Sequence, residues 1–251
     1  MKDKGRFDDR TGILIGKEGL SVLAGARVAV YGLGGVGAAC ALDLVRAGIG
    51  QLYVVDFDTV DISNLNRLSF GFRSTLGEPK TDAFSRFAKD INPEVSIEAA
   101  RRFFSGRDAK TVIDGASSVH ADCVDSLNPK VNLIAELCGR KLPFISSMGT
   151  AGRLAPERLR LGNMWETSGC PLAKSVRTRL RRLGVDADFP VVWSDEPPVK
   201  PVEALPDDSA PDSPGGRTRM VQGSGPFVPQ TAGHFMASWI VRWILAEARA
   251  E

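Results

Sequence analysis

Histidine is almost missing from this 251-residue chain: only His120 and His234 occur. Its four cysteines, Cys40, Cys123, Cys138 and Cys170, form no C-x-x-C pair. Structural zinc sites use such spacings, so the sequence carries no zinc signature and little basis for His/Cys metal chemistry. Long apolar runs are missing too. The longest, Phe235 to Ala246, is broken by Arg242 and falls short of the ~20 residues that cross a bilayer. The stretch Met1 to Gly5 is polar and has no apolar centre of the signal-peptide kind. These gaps lead us to expect a cytoplasmic chain with reduced thiols and no membrane partner. Charge of one sign is not in excess: 32 Lys and Arg against 30 Asp and Glu leave +2. That excludes a wholly basic nucleic-acid coat while allowing a local basic patch.

What is present reads as alternating strands and helices. Arg27 to Tyr31 (RVAVY) is a Val-rich run that predicts a buried parallel strand. A glycine-rich turn follows from Gly32 to Gly37, then an Ala/Leu-rich helix over 36–47 closed by Gly48. Leu52 to Asp56 is a second strand, which completes a β-α-β unit. The pattern repeats with a helix over 80–91 stopped by Asn92-Pro93, a strand over 95–99, a helix over 128–142 and a strand over 144–147. This alternation predicts an α/β fold, a doubly wound Rossmann-like and mostly parallel sheet. We expect residues 1–150 to form the nucleotide-binding core and 151–251 a C-terminal extension for substrate binding and dimerisation. Within the extension, 171–183 predicts a basic helix and 231–248 an amphipathic one. Residues 197–216 carry six prolines among Asp and Ser and read as a mobile surface loop.

Gly32-Leu33-Gly34-Gly35-Val36-Gly37 sits between a strand and a helix. Glycines there let backbone approach a phosphate, and the helix N-terminus offers free N–H groups and a favourable dipole. Asp56, at the end of the next strand, is placed to bind ribose hydroxyls. On the turn alone, a nicotinamide or flavin dinucleotide and a nucleoside triphosphate stand level. The residues after it tilt the balance. Asp56, Asp58, Asn64, Asn66 and Arg67, followed by Lys80, form an unusually polar run beyond a core strand. A triphosphate needs such cations to offset its charge and that of the departing pyrophosphate. Asp125, at the C-terminal end of a further strand, is placed to hold Mg²⁺. Each residue has a plainer reading: a solvated pair for Arg67 and Lys80, turn capping for Asn64 and Asn66, a helix N-cap for Asp125. Their convergence beside one phosphate-binding turn favours a shared site.

These motifs, G-x-G-G-x-G, D-x-D-x-V-x-x-x-N-x-x-R, L-G-x-x-K and D-C-x-D, resemble the adenylation signature of ThiF, MoeB and the ubiquitin-activating enzymes. The resemblance implies that Gly32, Gly34, Gly35 and Gly37 line the phosphates of ATP and that Asp56 holds its ribose. It implies that Asn64, Arg67 and Lys80, beside Asp58, contact the triphosphate, with Asp125 on magnesium. The stretch Arg6-Phe-Asp-Asp-Arg-Thr resembles a segment through which an arginine, here Arg10, reaches the partner's site in a homodimer.

Later segments resemble the tRNA-modifying branch, the threonylcarbamoyladenosine dehydratases. They are Ser146 to Pro156, Thr167 to Lys174, Val191 to Pro198 and Gly223 to Pro229. This branch lacks the zinc pairs of the sulfur-carrier adenylyltransferases. The implied activity is ATP-dependent cyclisation, with loss of water, of N6-threonylcarbamoyladenosine at position 37 of tRNA through an acyl-adenylate. The alternative is adenylation of the C-terminus of a ThiS/MoaD-like sulfur carrier. Lys174, Arg177, Arg179, Arg181 and Arg182 form a cluster suited to RNA phosphates. A monovalent cation is compatible with the resemblance. Relatives with a cysteine in the stretch matching Gln222 to Ser224 connect to sulfur-transfer accessory proteins; this chain has none there. Cys170 precedes a proline in an expectedly flexible segment and stands as a minor candidate nucleophile, while Cys40 and Cys123 read as core.

Overall fold

The computed structural model describes residues 5–105, 108–199 and 222–250. Seven strands form one sheet in the order β3-β2-β1-β4-β5-β7-β6. Their bounds are Arg27–Tyr31 (β1), Gln51–Val55 (β2), Ser96–Ala100 (β3), Val119–Asp122 (β4), Phe144–Ser147 (β5), Leu159–Asn163 (β6) and Pro190–Ser194 (β7). All neighbours run parallel except β6 and β7. The helices are Asp9–Gly25 (α1), Gly35–Ala47 (α2), Lys80–Ile91 (α3), Ala109–Val112 (α4), Leu127–Gly139 (α5), Pro171–Arg182 (α6) and Phe227–Ala250 (α7).

The central strands β1, β4 and β5 are buried almost throughout. Two apolar clusters lie on the sheet's two faces, as a doubly wound arrangement requires. One gathers α2, α3 and α7 around Val28, Val30, Leu52 and Val54. The other gathers α5 and α6 around Ala29, Tyr31, Tyr53 and Val55. Alternation along β1 and β2 sends successive side chains to opposite clusters, each fully buried Val or Leu contributing about 1.5–3 kcal/mol.

Several bounds differ from the sequence expectations for local reasons. Helix α5 stops at Gly139 rather than Leu142, and Lys141 just beyond has φ 55°, outside helical geometry. Helix α7 starts at Phe227, four residues before the expected Thr231. Its Pro229 lies in the first turn, where a missing N–H costs nothing. Helix α1 was not expected, and it is interrupted at Gly16 (φ 77°). Strands β6 and β7, from the second half of the chain, extend the same sheet. The proline-rich stretch expected to be a mobile loop falls, from residue 200 onward, outside the described residues. At its flanks, Val199 N–H donates to the Gly152 carbonyl (2.6 Å) and Gly152 N–H to the Gly223 carbonyl (2.7 Å).

Candidate active site

Strand order reverses between β1 and β4, and ligands of open α/β sheets bind at the carboxyl ends of strands at such a point. The turns leaving β1, β2 and β4 therefore share one edge. The turn after β1 is held from below. Gly32 has φ 89°, a conformation that favours glycine, and its N–H donates to the Val55 carbonyl at 2.8 Å. A methyl on Gly37 would lie 1.8 Å from the Gly32 carbonyl oxygen, so only glycine lets α2 begin so close to the strand end. Gly34, in contrast, faces open space.

Asp56 ties the second turn to the first. Its Oδ2 accepts the Leu33 N–H at 2.6 Å and its Oδ1 the Asp58 N–H at 2.8 Å. Burial raises its pKa, opposed by the positive charge of Lys80 and by these two N–H bonds. Lys80 opens α3 and is itself buried. Its Nζ pairs with Asp58 Oδ2 at 2.7 Å, and its N–H donates to the Asp58 carbonyl at 3.0 Å. Lys80 thus stands beside Asp56, at the turn.

Arg67 comes from the loop between β2 and α3. Its aliphatic stem lies over Gly35, where an added Cβ would sit 3.2 Å from Arg67 Cγ and 3.0 Å from Pro229. Its Nη1 donates to the Ser63 carbonyl (2.9 Å) and to Asn66 Oδ1 (3.0 Å). Arg67 thus packs on the glycine turn, and Lys80 is tied to it through Asp58 and Asp56. Asn64 serves as a turn cap, accepting the Asp61 N–H through Oδ1 at 3.3 Å. Asp125 lies three residues beyond β4, exposed, with Oδ1 accepting from Ser126 Oγ at 3.3 Å. Ser126, not Asp125, occupies the N-cap position of α5. Arg10 is exposed on α1, away from these groups and near the protruding Ile13 and Leu14.

The flexible segment expected around Cys170 is instead a buried helix start: Cys170 is 5% exposed, and its Sγ accepts the Ala173 N–H at 3.5 Å. Cys40 is buried; Cys123 is half-buried. On α6, Arg177 is engaged by Thr167 and Arg179 by Asn128, while Arg181 lies 5.3 Å from the Trp165 ring. The outward basic face consists of Lys174, Arg179, Arg181 and Arg182.

Sequence reasoning missed a buried cluster beneath the β4 turn. Lys130 Nζ meets Asp122 Oδ2 at 2.6 Å and Ser146 Oγ at 3.2 Å, and Asp122 Oδ1 accepts the Val124 N–H at 3.1 Å. The available signal was Lys130 beside the apolar Val131, Leu133 and Ile134 of α5. A cavity of about 600 Å³ lies at the opposite edge of the sheet, lined by Arg6, Phe7, Asp8, Gly48, Gln51 and Asn92. Among the described residues no three His, Cys, Asp or Glu gather as a metal cluster. No helix among them is long and apolar enough to cross a membrane.

A glycine turn, a buried carboxylate and two cations thus gather at the carboxyl edge of the sheet. The ThiF family model covers residues 9–249. The chain belongs to the ThiF family. Within this family it is 36% identical over 239 residues to the tRNA threonylcarbamoyladenosine dehydratase of Bacillus subtilis, covering 95% of this chain and 94% of that one. The Salmonella typhimurium molybdopterin-synthase adenylyltransferase is 38% identical over 129 residues, 51% of each chain. Among solved structures, the Escherichia coli tRNA N6-threonylcarbamoyladenosine dehydratase in complex with ATP superposes with a TM-score of 0.86 at 28% identity, covering 98% of this chain and 96% of that one. The ThiF-type α/β fold expected from the sequence is the fold observed.

Proposed function

We propose that this protein is an ATP-dependent tRNA threonylcarbamoyladenosine dehydratase, which activates its substrate as an acyl-adenylate. The observation that carries the reading is the packing of Arg67 on Gly35 together with the Lys80–Asp58 pair beside Asp56, whose carboxylate holds both Leu33 of the glycine turn and Asp58. Likeness across 95% of the chain to a dehydratase, against 51% to an adenylyltransferase, favours a modified nucleoside over a sulfur carrier as the substrate.

In this reading, ATP lies along the C-terminal edge with its phosphates over Gly32, Gly34, Gly35 and Gly37. Asp56 takes the ribose hydroxyls. The substrate carboxylate attacks the α-phosphorus, the bond to the β-phosphate oxygen breaks, and pyrophosphate leaves with the electron pair. Lys80 and Arg67, with Asn64 beside them, offset the charge gathering on the leaving group. The exposed carboxylate of Asp125 suits magnesium, which keeps several waters and binds phosphate oxygens; the ion supplies further charge neutralisation when bound. The carbamoyl group of the same nucleoside then displaces AMP. That second nucleophile is already tethered, so no enzyme nucleophile is required.

Two copies pair in this reading, with Arg10 reaching the partner's site. Its neighbours Ile13 and Leu14, 83% and 84% exposed, supply apolar surface for the pairing. The outward basic face of α6 tracks tRNA phosphates. A tRNA substrate makes the protein cytoplasmic.

The test is product analysis with purified protein. AMP and pyrophosphate should form only with tRNA carrying N6-threonylcarbamoyladenosine, and the cyclised nucleoside should appear in gently handled digests. ADP and phosphate as products would end the proposal. Pyrophosphate exchange driven by a carrier protein ending in Gly-Gly, and indifferent to tRNA, would replace it with the adenylyltransferase reading.

A further inference from the structure

We infer that Asn66 is a positioning residue, which fixes Arg67 for phosphate binding by bridging it to the segment preceding α7. The inference rests on the proposed role of Arg67 at the triphosphate. The Asn66 amide is used at both ends. Its Oδ1 accepts from Arg67 Nη1 at 3.0 Å, and its Nδ2 donates to the Ser224 carbonyl at 2.7 Å, 158 residues away. The orientation of the amide is fixed by its partners, since a guanidinium can only donate and a carbonyl can only accept.

Arg67 is gripped from three sides. Nη1 is shared between Asn66 Oδ1 and the Ser63 carbonyl, and the Arg67 carbonyl accepts from Gln230 Nε2 at 3.2 Å. Pro229 and the Arg67 stem converge on Gly35. Nε and Nη2 have no hydrogen-bond partner among the described residues, so one terminal nitrogen is anchored while two donor nitrogens remain for an anion. A surface asparagine acting only for its own turn bonds locally, as Asn64 does. Asn66 instead spans two distant segments. Arginine loses much rotamer freedom when it grips a ligand, and fixing it beforehand removes part of that loss from the binding step.

AMP lacks the β- and γ-phosphates, so a residue that acts through Arg67 must affect ATP far more than AMP. The parent protein, Asn66→Leu, Asn66→Asp and Arg67→Ala are titrated calorimetrically with each nucleotide. Asn66→Leu should weaken ATP binding about tenfold, the scale of one lost charge-assisted bond, with AMP changed less than about twofold. In steady state, KM for ATP should rise more than kcat falls. Asn66→Asp has the same shape and keeps an acceptor for Arg67 but cannot donate to Ser224; its ATP loss should be smaller and in the same direction. It also serves as the readout should the leucine variant not fold. Unchanged ATP binding, or equal losses for ATP and AMP, would overturn the inference. If Arg67→Ala leaves the ATP-to-AMP ratio unchanged, the phosphate role of Arg67 fails. If Arg67→Ala lowers the ratio while the Asn66 variants do not, only the positioning role fails.

Discussion

Lys130 and Asp122 form an ion pair at 2.6 Å in which neither side chain is exposed to solvent. Removing one partner of such a pair strands a buried charge and typically costs about 3–5 kcal/mol, whereas replacing both with neutral groups of similar size is often near neutral. Lys130→Met should therefore lower the urea midpoint sharply, and the double variant Lys130→Met/Asp122→Asn should recover most of the loss. A single variant as stable as the parent would show that the pair contributes nothing to the fold.

Lys80→Ala and Asp125→Ala should each slow AMP formation at least about 100-fold, as loss of a charge-stabilising group does. Melting temperature separates the two. Lys80 is buried against Asp58, so its variant should also melt lower; Asp125 is exposed, and its variant should not. Rates near the parent's for either variant would mean that the site lies elsewhere.

Glycines of the β1 turn should differ in kind. Gly37→Ala drives a methyl to within 1.8 Å of a carbonyl oxygen, so it should fail to fold or lose several kcal/mol. Gly34→Ala meets open space and has φ −77°, which any residue adopts; it should fold normally and lose ATP binding. Circular dichroism and nucleotide titration on both variants decide the matter.

Cys170→Ser should be mild in activity and neutral or better in stability. The Sγ holds an N-cap position on α6, a place where a serine oxygen is the stronger acceptor. Complete loss of product formation with an unchanged melting temperature would instead make the thiol chemically necessary.

His120 predicts a pH dependence. Its Nδ1 lies 3.0 Å from the Tyr31 hydroxyl, and burial pushes its pKa down from 6.5 to about 4. The unfolded chain therefore binds the extra proton first. The stabilisation is complete above pH 6.5 and is lost as pH falls toward about 4, a span worth roughly 3 kcal/mol. Urea unfolding of the parent and of His120→Phe across this window should show a slope in the parent that the variant lacks.

The strand-turn-helix of the nucleotide site was legible because its signals are local: a Val-rich run, closely spaced glycines and a polar run directly after the next strand. The same holds for α3 and β5. Helix α1 escaped notice because Gly12, Gly16, Gly19 and Gly25 interrupt its pattern. Strand β6 escaped because its alternation, Leu159 and Leu161 against Arg160 and Gly162, spans only four residues. The grip of Ser224, Pro229 and Gln230 on the Arg67 turn could not be read at all, since it joins segments more than 150 residues apart. In the sequence the α6 arginines read as one phosphate track, whereas Arg177 is used internally by Thr167.

Gly152 receives the chain from Val199 and hands it on to Gly223, so both flanks of the intervening stretch are fastened to one residue. Closing a loop whose ends already meet depends only weakly on its length. Shortening, lengthening or exchanging that stretch should therefore leave the sheet intact, which makes the place a natural graft point for reporter tags or foreign recognition loops.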